Sequence, residues 1–287
     1  MYSKILNLIW LFLILYFCST VIEAQIPRPD KAYGVFSVSV DEVDTLGTSL
    51  GYSYLLRNSE QSEQVLDAFT IFISDPAFKK NPNLIKYQGL KKWYLDGIAT
   101  NGAIFGAAAS RIIELPPENG LEPKEKINFK LFSNGLPAIV PFYTEGFTPP
   151  ITFELLDTLY AQGYTDEEIF LDWKEESYKG ITISPKVWAE DFDTSIFLDS
   201  LDSYQHRSCE ELGWITNKGI CNSLEVKLRN VRRHLERDKP KQARNVLNAF
   251  INQVEAQRGK HITEEGYALL YFNAEYLMDK LDSGGGD

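Results

Sequence analysis

Residues 249–270 read AFINQVEAQRGKHITEEGYALL. Two helical patterns meet here at an RGKHIT joint, near the end of a chain whose first half reads as β-rich. On the N-terminal side, Ala243, Leu247, Phe250 and Val254 recur at helical spacing. Pro240 sits in the first turn and Gly259 follows as a C-cap. On the other side, Leu270, Ala274, Leu277 and Leu281 line one face. Thr263 is placed as N-cap, with Ile262 and Tyr267 spaced as a hydrophobic staple. A third stripe, Leu224, Leu228, Val231 and Leu235, precedes them, with Asn222 and Glu225 spaced as a capping box. Three apolar faces with short joints can bury one another, so residues 205–282 are expected to form a three-helix bundle whose core need not borrow from the rest of the chain. Residues 283–287 then read as a flexible tail.

The stretch from LGWITNKGICNSL through KLRNV and ARNVLNAFINQVEAQRGKHIT to YALLYFNAEYL resembles the FIMAH-type helical domain. That resemblance implies a module appended to secreted, multidomain microbial proteins of bacterial type, with no catalytic residue assigned to it. The pair Cys209 and Cys221 is not part of the general pattern.

Upstream the period changes from helical to two. Phe36, Val38 and Val40 point one way in YGVFSVSV, and Val35, Ser37 and Ser39 the other. Leu50, Tyr52, Tyr54 and Leu56 share a face, as do Phe69, Ile71 and Ile73, and Ile127, Phe129 and Leu131. Such alternation, punctuated by Asn58-Ser59, Asn101-Gly102 and Asn134-Gly135, is the signature of half-buried antiparallel strands. The fold expected is α+β and multidomain: an antiparallel β-sandwich over 25–185, then a linker with a short helix over 186–204, then the bundle. Within the sandwich region, residues 153–178 read as a helical insertion. There Thr165 is the N-cap, and Asp166, Glu167 and Glu168 complement the helix dipole rather than bind metal. GITISP follows as a short closing strand. YSYLLRNSEQSEQ and FSNGLP resemble secreted β-sandwich domains loosely.

The first 24 residues combine Lys4, a long apolar run and Ala24, the pattern of a signal peptide. An uncleaved anchor is the alternative, because the run approaches spanning length. The chain is expected to be exported to a periplasmic, extracellular or cell-surface location. Cleavage would leave two cysteines, Cys209 and Cys221, which an oxidising compartment would pair in a disulfide; two inert thiols are the alternative. Residues 25–200 carry 15 Lys/Arg against 26 Asp/Glu, whereas 204–281 carry 13 against 10. The acidic excess argues against nucleic acid and, after cleavage, against membrane surfaces as partners.

Chemistry-bearing motifs are scarce. His206, His234 and His261 have no metal-ligand spacing, and no nucleophile elbow, phosphate loop or dinucleotide fingerprint occurs. No cofactor is expected. Arg229, Arg232, Arg233 and Arg237 read as a basic helix face. Adjacent Trp93 and Tyr94 would point to opposite faces of a strand, so one of them could present a ring to a ligand. The reading is an exported, non-catalytic protein with a protein or glycan partner. Two rivals remain: a secreted hydrolase with paired carboxylates such as Asp157 and Glu175, and a carbohydrate-binding module using Trp93 or Tyr94. Intact-mass analysis of the exported chain is expected to show loss of residues 1–24; a full-length, membrane-embedded product would contradict it.

Overall fold

The computed structural model describes residues 25–26, 31–42, 50–73, 86–89, 93–95, 103–108, 119–170, 175, 177–188 and 192–283. Residues 1–24, which include Cys18, and Asn101-Gly102 and Trp173 lie outside these residues. Among the described residues, no helix is long and apolar enough to cross a membrane. The chain falls into two compact units, one containing Pro150–Leu171, the other Pro29–Pro149 with Asp172–Asp287.

The larger unit begins with a β-sandwich. Among the described residues its strands are β1 (Gly34–Glu42), β2 (Leu50–Asn58), β3 (Leu66–Ile73), β4 (Lys86–Gln88), β5 (Tyr94–Leu95), β6 (Ala103–Ala108), β7 (Lys126–Ser133), β8 (Leu136–Gly146) and β9 (Tyr178–Lys186). One antiparallel sheet has the order β1-β2-β7-β4 and the other β5-β6-β3-β8-β9. The period-two reading places the core: Phe36, Val38 and Val40 are buried while Val35 and Ser37 are exposed. Phe36 is the hub. Its ring meets Phe142, Phe69, Tyr54 and Phe129 edge-on, with centroids 4.7–6.2 Å apart. Such contacts add about 0.5–1.5 kcal/mol each beyond area burial.

Asn134-Gly135 is a crossing between sheets rather than a hairpin within one, since β7 and β8 belong to different sheets. The buried Tyr52 hydroxyl holds this crossing by donating to the Gly135 carbonyl at 2.6 Å. Tyr54 donates to Ile183 O of β9 at 3.0 Å, so both phenols tie one sheet to the other while remaining satisfied. The closing strand is longer than GITISP and pairs along β8 from Thr144 to Leu136. Gly180 lies opposite Phe142 in that ladder, and a Cβ there would run into the Phe142 ring.

The smaller unit carries α1 (Phe153–Ala161) and α2 (Asp166–Ile169). α2 has the expected start. Thr165 accepts from Glu168 N, and the Glu168 carboxylate accepts from Thr165 N at 2.8 Å. The backbone N–H of Thr165 holds the Glu168 carboxyl below its ordinary pKa. Glu168 is therefore employed in a capping box.

Four helices complete the larger unit: α3 (Thr194–Glu210), α4 (Lys218–Leu235), α5 (Pro240–Gln257) and α6 (Glu264–Ser283). The short linker helix expected before residue 204 is a 17-residue helix that continues past it and packs on α4 and α6. α4 begins earlier than its sequence spacing suggests. Asn217 caps Gly219 N and Ile220 N, so Asn222 and Glu225 lie inside the helix instead of forming its box. Cys209 of α3 and Cys221 of α4 form a disulfide with Cα atoms 6.0 Å apart. Closing that loop contributes about 3 kcal/mol by restricting the unfolded chain.

The RGKHIT corner is a tight junction. Gly259, in the left-handed region at φ 68°, donates to Ile262 O, and Thr263 N donates to Trp214 O, both at 2.9 Å. Ile262 and Tyr267 are both buried, as the staple requires. α6 is buried on more than the one expected stripe. Leu270, Ala274 and Leu277 are joined by Leu269, Phe272 and Asn273. The extra positions reflect a second neighbour, for α6 packs on β1 and β8 as well as on α5 and α3. Near the entry to α3, Trp188, Phe192, Phe197 and Tyr276 form an aromatic cluster with centroids 4.6–5.6 Å apart.

Candidate functional site

Among the described residues β1 is an edge strand, paired with β2 alone, and its even-numbered N–H groups point away from that partner. Gly34 N is met by Thr144 Oγ1 at 3.0 Å. Val38 N is met by the Glu265 carboxylate of α6 at 2.9 Å. In the corner that precedes α6, Arg258 binds Glu264 through Nε and Nη2, at 2.6–3.1 Å. It also reaches Asp41 of β1 at 3.8 Å, and its guanidinium lies 4.1 Å from the Tyr267 ring centre. The hydrogen bonds that Arg258 donates to Glu264, ahead of that carboxylate's charge, raise the Arg258 pKa. Further along α6, Asn273 Nδ2 donates to Pro137 O of β8 at 2.8 Å.

These contacts set the first turn of α6 beside the outer face of the four-stranded sheet. A cleft of about 810 Å³ opens between them. Its floor is laid down by strand register. Ser39, Ser53 and Lys130 form one cross-strand row, and Ser37, Leu55 and Asn128 the next. Glu264 and Glu265 form one side, and Gly89, just past β4, lies on the other. Gly89 has φ 112°, and a Cβ there would approach Asn128 O to 2.7 Å, so only glycine lets the chain leave β4 so close to the floor.

The residues singled out from sequence stand elsewhere. Trp93 is 7% exposed, packs against Phe69 and donates from Nε1 to Asn119 O at 3.1 Å, so its ring belongs to the core. Tyr94 follows it on β5, opposite Ala108, and its side chain lies outside the described residues. Asp157 and Glu175 are both exposed and belong to different compact units. Arg232 of α4 turns inward to Asp199 of α3 at 2.7 Å, while Arg233 of α4 and Arg237, just past its end, are exposed. Among the described residues no three His, Cys, Asp or Glu side chains are grouped to hold a metal ion.

The cleft residues carried a partial signal in the sequence. Alternation put Ser37 and Ser39 on the outward face, but only register brings them beside Ser53 and Lys130. Glu264 and Glu265 stand in the first turn of α6, where acids commonly complement the helix dipole, so their residue type does not mark them as cleft residues.

The fold and site describe a β-sandwich whose edge and outer face are braced by a helical domain. Residues 204–279 match the family model of the FIMAH domain, which is consistent with an accessory role at a surface. No curated protein matches the chain.

Glu265→Ala removes the acceptor from a partly buried strand N–H and is expected to destabilise the chain by about 1–3 kcal/mol, with Glu265→Gln losing less because its amide oxygen still accepts. Urea denaturation of the three proteins checks this; an alanine variant as stable as the parent would show that the contact contributes nothing.

Proposed function

We propose that the protein is an exported, non-catalytic binding protein, in which the sandwich presents the cleft beside α6 and the helical domain braces that surface. The observation that carries this reading is the cleft itself. It is an open hollow floored by serines, Asn128 and Lys130, and walled by a helix end anchored through the RGKHIT corner. Short polar side chains on a rigid sheet leave room for a ligand to lie against backbone and hydroxyl groups, which suits recognition. The two carboxylates at the wall serve Arg258 and Val38 N–H in the resting fold. The FIMAH match over residues 204–279 supports the accessory half of the reading.

The test is a glycan and protein-partner binding screen on the full chain, run with Ser53→Trp, which fills the cleft floor from an outward position. The proposal expects a ligand whose binding falls at least about tenfold in Ser53→Trp, with the circular dichroism spectrum unchanged. Substrate turnover that is abolished by one acidic substitution in a folded protein would replace the binding reading with the hydrolase.

A further inference from the structure

The outer face of the four-stranded sheet carries more positive charge than the acidic chain around it. Arg57 of β2 lies directly opposite Lys126 of β7, and Lys130 projects from the same face of β7 four residues on. All three are exposed, and none makes an ion pair among the described residues. Two like charges directly opposed on neighbouring strands are unfavourable unless an anion lies between or over them. The carboxylates nearest the cleft do not neutralise them, because Glu264 is bound to Arg258 and Glu265 to Val38 N–H. The unneutralised cations run along β7 from the Lys130 row of the cleft, over about 13–14 Å between Lys126 and Lys130 at the rise of an extended strand. Asn128 stands between them, and Ser37, Ser39 and Ser53 lie alongside.

Resting on the binding role proposed above, we infer that the cleft and the β7 strip take an acidic glycan whose charges are uronate carboxylates. Spaced cations meet widely spaced carboxylates, and the serine hydroxyls and Asn128 amide meet sugar hydroxyls. The formal charge of −11 works against nucleic acid, whose duplex carries one charge per ~1.7 Å, and leaves a local strip suited to a sparser polyanion.

Isothermal titration of the full chain with size-defined oligogalacturonate tests the assignment. A neutral gluco-oligosaccharide of equal length and a sulfated heparin oligosaccharide are the comparison ligands. The expected result is preferential binding of the oligogalacturonate that weakens with added salt. Affinity should fall at least about tenfold in the Lys126→Glu, Lys130→Glu double variant and stay unchanged in Arg237→Glu, a charge reversal in the turn after α4. Three results would overturn the inference: no binding of the oligogalacturonate, equal affinity for the neutral oligosaccharide, or tighter binding of heparin. A neutral glycan or peptide bound in a way sensitive to Ser53→Trp but indifferent to the double variant would overturn it while leaving the binding role standing. Oligogalacturonate binding indifferent to both would instead remove the cleft from either reading.

Discussion

An antiparallel sandwich that is not closed into a barrel leaves strand edges whose N–H and C=O groups have no partner. In this protein the edge of β1 is met by a helix. The Glu265 carboxylate, in the first turn of α6, accepts the Val38 N–H, and Thr144 accepts the Gly34 N–H. A bare edge is a template for pairing with other chains, and covering it with a helix removes that hazard. The same helix is pinned at its middle by Asn273, whose amide donates both to Pro137 O and to Leu269 O at 2.8 Å. Proline at 137 provides no N–H to the ladder, and its carbonyl is here turned to use by the helix.

The two anchors explain why α6 is buried on so much of its circumference. One side carries Leu270, Ala274 and Leu277, and the adjoining positions include Leu269, Phe272 and Asn273. The helical domain thus acts on the sandwich directly. Its RGKHIT corner brings Arg258 within reach of Asp41 while the Arg258–Glu264 pair fixes the start of α6. That placement creates the cleft, since the sheet face alone would be flat. The surface ion pairs contribute little stability individually. What they contribute is the position of Glu264 and Glu265 relative to the serine rows.

Much of the architecture was readable from local pattern. Period two located the inward residues of β1 and β2, because one-sided burial forces alternation. Helical stripes located α4, α5 and α6 for the same reason at a different period. The start of α4 was hidden because Asn217 and Asn222 are both good caps, and tertiary contacts favour the earlier one. The second face of α6 was legible in principle: YALLYF is apolar nearly all round, which marks a helix buried on more than one side. The cleft was not legible, because strand register decides which serines share a row. Trp93 shows the reverse difficulty. A tryptophan beside a tyrosine reads as a binding platform, and its indole N–H instead finds a carbonyl at Asn119 within the core.

α6 belongs energetically to both the helices and the sandwich. Native-state hydrogen exchange read by peptide mass, along a series of low denaturant concentrations, tests it most directly. The account predicts that amides of 264–283 and of 34–58 are exposed in one cooperative opening of the same free energy. Exchange of the α6 peptides through an opening of lower free energy, with the β1 and β2 peptides still fully protected, would contradict it.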